Sequence, residues 1–284
     1  MKTDELRLVP GKDVRLAAID PRSTFGLDKK SAGIAELASD CSRLTELQEI
    51  FAAARSRSLL IVLQGMDSAG KDGAIKHVMS GVNPQGVDVY GFKAPTDVEV
   101  AHDFLWRCER VLPERGRIAI FNRSYYEEVI VVRVHEDLLA RESATPEKDI
   151  WAERFEDINA FEHHLARNGT IVLKFFLHLS KDEQRKRLLA RLDDEDKNWK
   201  FSVNDIRERR YWDEYQVAYE RMLGATTTAW APWYVIPADK KWFVRAAVAS
   251  VIIEKLDSLG LHYPHLTGEA AGQLKEFRQQ LEAE

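Results

Sequence analysis

Short apolar runs punctuate the chain, separated by longer stretches in which apolar residues recur every three or four positions. From residue 31 to about 55, Ile34, Leu37, Cys41, Leu44, Leu47 and Phe51 fall at helical spacing. Ser58-Leu-Leu-Ile-Val-Leu-Gln64 is then a continuous apolar run of strand length, the pattern of a strand covered on both faces. Further runs at 87–92, 118–122, 170–179 and 233–237 read as strands, with helical stretches between them. Helix starts are signalled by Thr96-Asp-Val-Glu99 and Ser180-Lys-Asp-Glu183, which have the capping-box pattern. Ser202-Val-Asn-Asp205 repeats it with Asp for Glu, and Thr145-Pro146 puts proline at an expected first helical position. Strands alternating with helices predict an α/β fold, a parallel sheet with helices on both sides. The first thirty residues, where Pro10, Gly11, Pro21 and Gly26 lie among charges, read as an irregular arm. No repeat or linker interrupts the rest, so residues 1–284 read as one domain.

Composition narrows the class. The 284 residues are 45% hydrophobic and 31% charged, enough to build a core without disulfides or structural metal. The two cysteines, Cys41 and Cys108, form no framework and point to a reducing, cytoplasmic setting. A formal charge of 41 − 46 = −5 argues against a general nucleic-acid binder. No apolar run approaches the roughly 20 residues of a membrane-spanning helix, and the N-terminus lacks the pattern of a signal peptide. A globular enzyme outside the membrane is the expectation.

The chemistry is concentrated first at Gly65-Met66-Asp67-Ser68-Ala69-Gly70-Lys71, which matches G-x-x-x-x-G-K directly after a predicted strand and before a predicted helix. Glycines let backbone N–H groups turn inward around phosphate oxygens, the helix adds its N-terminal partial charge, and lysine adds a mobile ammonium. Position 72, ordinarily Ser or Thr for magnesium, is Asp72, followed by Gly73. With Asp67 inside the loop, two carboxylates face the expected phosphate, which implies Mg²⁺ between them. The second concentration is Phe121-Asn122-Arg123-Ser124-Tyr125-Tyr126-Glu127-Glu128, at the carboxyl end of another strand, where open α/β sheets bind ligands. Asn122 stands where a Walker B Asp is expected, Arg123 can fork onto phosphate, and Glu127 or Glu128 lies within reach of a cation.

These segments resemble the polyphosphate kinase 2 family. The resemblance is carried by G-M-D-S-A-G-K-D-G (65 to 73), F-K-A-P-T (92 to 96), F-N-R-S-Y-Y-E-E-V (121 to 129), and the stretch from Leu179 through Ser202. It implies a P-loop kinase-like three-layer α/β/α fold similar to thymidylate kinase, with a five-stranded parallel sheet and a helical lid at about 180–205. It also implies Mg²⁺-dependent phosphoryl transfer between inorganic polyphosphate and adenine nucleotides, with guanine nucleotides as further candidates, by a homo-oligomer. Asn122 in F-N-R-S-x-Y-E looks more like the subgroup acting on both AMP and ADP than like the F-D-R-S-W-Y enzymes.

On a helix starting at Lys181, Arg185, Leu188, Leu189 and Leu192 share one face, and Gln184, Arg187 and Arg191 another. The expectation is that the leucine side packs while Arg187 and Arg191 project into a cleft and neutralise transferring charge. Lys93, which follows another predicted strand, is a candidate phosphate contact, and Lys197, Lys200 and 207–210 are candidates for extending a basic track for a long anion. Trp212, Tyr215 and Tyr219 read as a core stripe. In this reading Lys71 and the loop amides hold the transferring phosphate, and Asp67 and Glu127 hold the metal. Arg123 orients the nucleotide. The alternatives are an ATP-dependent nucleoside monophosphate kinase and a non-catalytic nucleotide sensor.

Overall fold

The structure, a computed structural model, describes residues 1–141, 149–200 and 202–284; the side chains of residues 141, 197, 199, 200, 269 and 275 are not among those described. The expected helix start at Thr145-Pro146 and the side chains of Lys197 and Lys200 lie outside the described residues.

In chain order the elements are α1 (Lys30–Ala54), β1 (Ser58–Gln64), α2 (Lys71–Val78), β2 (Val87–Gly91), α3 (Asp97–Val100), α4 (Trp106–Glu109) and β3 (Ile118–Asn122). They continue with α5 (Glu127–Val134), α6 (Ile150–Arg167), β4 (Thr170–His178), α7 (Lys181–Leu192), α8 (Val203–Glu208) and α9 (Trp212–Thr226). The last are β5 (Trp233–Pro237), α10 (Lys241–Asp257) and α11 (Glu269–Glu282). The five strands form one parallel sheet in the order β2-β3-β1-β4-β5. Both faces are covered, which is why β1 is apolar at nearly every position rather than alternating. Leu59, Ile61 and Leu63 pack with α1, α2 and α10, whereas Leu60 and Val62 pack with α5, α6 and α9.

The expected caps hold α3 and α7: Thr96 and Glu99 form a reciprocal capping box, and Ser180 Oγ accepts from Glu183 N (3.1 Å). Ser202 caps α8 through Asn204 N rather than Asp205 N. The N-terminal arm has two short 3₁₀ turns, at Thr3–Leu6 and Leu16–Ala18, and docks beside β5 through Leu8 N to Trp233 O (2.9 Å). No helix among the described residues is long and apolar enough to cross a membrane.

The topology places the chemistry. The order reverses beside β1, whose neighbours are β3 and β4, so the loops leaving β1 and β3 open side by side at the carboxyl edge of the sheet. The register sets Leu63 of β1 against Asn122 of β3, and Gly91 of β2 against Asn122 as well. Residues 65–73, 92–94 and 122–127 are therefore brought together by pairings that sequence distance alone conceals.

Candidate active site

The loop leaving β1 is shaped by backbone that side chains resist. Gly65 has φ +149°, and a Cβ there would sit 2.8 Å from the carbonyl oxygen of Leu177. Gly70, at φ +109°, forms the left-handed entry to α2, and Ser68 is also left-handed at φ +65°. Gly65→Ala is expected to displace the loop, costing about 1–3 kcal/mol of stability and lowering turnover. Thermal unfolding and kcat of the variant check this, and no change in either would contradict the tight fit. Met66 and Ala69 are buried and anchor the loop from below, and Ala69 N donates to Met66 O (3.0 Å) to close its turn.

Lys71 is buried, with Nζ donating to Gly65 O (2.6 Å) and Met66 O (3.4 Å). Burial pushes its ammonium below the usual lysine range, with the Arg123 charge adding to the effect against Asp67, Glu127 and Asp72. The lysine is thus a cation short of negative partners, held where a phosphate would supply them.

Arg123 follows β3 with φ +66°, a rare conformation for a residue with a side chain and a strained one at a site. Its N–H still reaches Leu63 O (3.1 Å), so the ladder holds while the chain turns off the sheet. The guanidinium then crosses to Asp67 (2.5 Å) and Glu127 (3.5 Å). Burial opposes its charge, but Glu127 and Asp67 hold it above the ordinary arginine range. Glu127 itself is pushed up by burial, against the pull of Arg123 and Lys71. Asn122 bridges the two loops, donating from Nδ2 to Asp72 Oδ1 (2.6 Å).

Two expectations change here. Glu128 does not face the cleft: it is buried against Arg107 (3.4 Å) and Arg154 (3.6 Å), which leaves Glu127 as the carboxylate of that pair on the site. On α7 only Leu188 of the expected leucine side is buried. Leu189 and Leu192 are 47% and 43% exposed, whereas Gln184 and Arg187 are buried against the P-loop. Gln184 donates to Asp67 O (3.0 Å). Arg187 donates to Ser68 O, Ala69 O, Ala238 O, Asp239 O and Glu183 at 2.6 to 3.1 Å, which engages all five of its N–H groups. In this conformation Arg187 braces the loop rather than projecting toward phosphate. Arg191 does reach forward, bonding Ser68 Oγ (2.9 Å) and Asp205 (2.9 Å).

The residues Gly65 to Gly73, Lys93, Asn122, Arg123, Glu127, Arg187 and Arg191 line one open cleft of about 1460 Å³. Lys93 is exposed there, on the loop after β2. Missed in the sequence are Lys76, Lys186, Lys241 and Arg245, which line the same cleft from α2, α7 and α10. Arg209, expected on the basic track, instead donates to Lys181 O and Gln184. The opposite wall contains Tyr215 and Tyr219, buried as expected of a core stripe but also facing the cleft. Tyr215 and His135 both bond Glu208, at 2.6 and 2.7 Å. The pairs Lys241–Arg245 and Tyr215–Tyr219 at i, i+4 were the available signals, but spacing does not say which elements converge.

The oxygen donors suit Mg²⁺, which is usually held by one or two carboxylates and completed by substrate phosphates and water. Asp67 and Glu127 supply such a pair, and a half-buried carboxylate like Glu127 gains from a nearby cation. No cluster of three or more metal-ligating side chains stands assembled among the described residues.

Comparison with known proteins agrees with this geometry. The family model for polyphosphate kinase 2 matches residues 27–262. An ADP-polyphosphate phosphotransferase of Rhodopseudomonas palustris is 48% identical over 99% of both chains. An AMP/ADP-polyphosphate phosphotransferase of Meiothermus ruber is 45% identical over 91% of this chain and 94% of its own. The crystal structure of polyphosphate kinase 2 from Arthrobacter aurescens superposes with a TM-score of 0.89 at 42% identity, covering 97% of this chain and 96% of that one. With its P-loop, its arginine at the adjacent strand end and these relatives along its whole length, the chain belongs to the polyphosphate kinase 2 family.

Proposed function

We propose that this protein transfers phosphoryl groups between inorganic polyphosphate and adenine nucleotides, with both AMP and ADP as acceptors. The observation that carries the reading is the pairing, in one cleft, of a buried and under-compensated Lys71 with Arg123 at the end of the next strand. One can hold a donor phosphate and the other an acceptor phosphate. Lys76, Lys186, Lys241 and Arg245 add cationic lining suited to a long polyanion.

The terminal phosphoryl group of polyphosphate rests on the loop amides and Lys71 Nζ. Arg123 orients the nucleotide so that its terminal phosphate oxygen attacks that phosphorus in line. The new P–O bond forms as the bridging P–O bond to the polyphosphate chain breaks, and the shortened chain leaves with the electron pair. One phosphoanhydride replaces another when ADP accepts or when AMP does, so the reaction runs in either direction according to concentration. No side-chain nucleophile is needed, and catalysis is positioning and charge stabilisation. Mg²⁺, held by Asp67 and Glu127, would neutralise charge on the phosphates. Arg187 binds the carbonyls of Ser68 and Ala69 and so fixes the loop backbone on which the phosphate would rest.

Support for the broader acceptor range comes from neutral Asn122, bonded to Asp72, at the position where the ADP-restricted pattern has Asp. Chromatography of nucleotides after incubation with AMP, Mg²⁺ and polyphosphate tests this. ADP appearing first and ATP later is the expected result. No ADP from AMP, with ATP still formed from ADP, would restrict the acceptor to diphosphates. Guanine nucleotides as further acceptors, a homo-oligomeric state and a cytoplasmic location belong to the same proposal and rest on the family resemblance.

A further inference from the structure

Behind the cleft lies a buried charged triad that touches none of the loop amides. Arg107 on α4, Glu128 on α5 and Arg154 on α6 are 8%, 4% and 5% exposed. Arg107 Nη2 bonds Glu128 Oε1 (3.4 Å), and Arg154 Nη1 donates to Glu128 O (2.8 Å). Such a group costs desolvation and is weak grounds for stability alone. Its placement suggests what it does. Arg107 Nη1 donates to the backbone carbonyl of Lys93 (2.8 Å), and its guanidinium lies over the Phe92 ring at 5.5 Å. Phe92 in turn packs edge-on against Phe121 (5.0 Å), immediately before Asn122 and Arg123.

The segment needs an anchor. β2 is an edge strand, and its ladder with β3 closes at Phe92 N to Asn122 O (3.1 Å). The next ordered point is the Thr96–Glu99 capping box. Between them, Arg107 seizes the Lys93 carbonyl from the buried side, while the Lys93 side chain stays exposed on the cleft. A charge-assisted bond to that carbonyl sets where the lysine backbone sits relative to Arg123, and through Glu128 the same arginine is tied to the first turn of α5 beside Glu127.

We propose that Arg107 is a positioning residue that acts through Lys93, setting the ammonium against the phosphate of the nucleotide acceptor. This rests on the proposed reading of Lys93 as a phosphate contact, which the test examines separately. KM and kcat for ADP at saturating polyphosphate, KM for polyphosphate, and thermal unfolding are measured for Lys93→Ala, Arg107→Met, the two combined, and Arg107→Lys. Lys93→Ala is expected to raise KM for ADP about tenfold, the size of one charge-assisted hydrogen bond. Arg107→Met should raise the same KM by a similar factor and leave polyphosphate KM unchanged. The combined variant should be no worse than Lys93→Ala, and Arg107→Lys, which can still reach one carbonyl, should recover part of the loss. If Arg107→Met unfolds by stranding Glu128, the pair Arg107→Met and Glu128→Gln removes both charges and is compared with and without Lys93→Ala. Multiplying effects in the combined variant, or an unchanged KM for ADP in Arg107→Met, would overturn the proposal. An unchanged KM in Lys93→Ala would overturn the phosphate reading of Lys93, and with it the proposal.

Discussion

Lys71→Ala is expected to cut turnover on the order of 10² to 10³-fold, the loss found when one fixed electrostatic donor is removed from a site of developing charge. The same variant should fold at least as well as the parent. Lys71 bonds only two carbonyls of its own loop, and burial makes its charge unfavourable there. Removing it therefore relieves a penalty in the empty enzyme while depriving bound phosphate of its ammonium, the stability–activity opposition expected of an active site. The measurement is kcat beside the unfolding midpoint. A variant that loses rate together with stability would assign Lys71 a structural role, and one that keeps near-parental turnover would remove it from the site.

The second large effect is on stability. Lys174 on β4 and Glu162 on α6 are fully buried and paired at 2.6 Å. Lys174 also donates to Thr226 O (2.7 Å) and to Tyr126 Oη (2.9 Å), which accounts for all three of its protons. Glu162 accepts from the hydroxyls of Tyr125 (2.8 Å) and Tyr126 (2.7 Å). Lys174→Met leaves that carboxylate buried without its cation and should cost about 3–5 kcal/mol. Combining it with Glu162→Gln should restore much of the loss, because the stranded charge goes with the second change. Urea unfolding of the two variants checks this, and a single variant as stable as the double would contradict it. Turnover of the folded protein should change little, since neither residue lines the cleft.

That network also shows how far a motif can be read. In Asn122-Arg123-Ser124-Tyr125-Tyr126-Glu127-Glu128, the sequence marks one chemical segment. The structure divides it: Asn122, Arg123 and Glu127 serve the cleft, whereas Tyr125, Tyr126 and Glu128 hold the layer beneath. The strands were legible because short apolar runs bounded by polar residues have few other uses, and β3 and β5 begin and end where the pattern places them. The P-loop was legible because the glycine, lysine and strand–helix context occur together. The orientation of α7 was not. Its periodicity defines a leucine side and an arginine side, but hydrophobicity favours burying the first, and here four backbone carbonyls hold Arg187 inside beside Leu188 while Leu189 and Leu192 stay open. The cationic lining from Lys76, Lys186 and Arg245 was illegible for a different reason: three helices far apart in sequence converge only through the strand order.

Donor identity is the central claim, and ATP formation followed by luciferase with ADP, Mg²⁺ and polyphosphate tests it directly, using protein cleared of adenylate kinase. The account predicts ATP that accumulates only when polyphosphate is present, and a rate that falls with Lys71→Ala. ATP formation independent of polyphosphate, or none from folded protein that binds nucleotide, would contradict it.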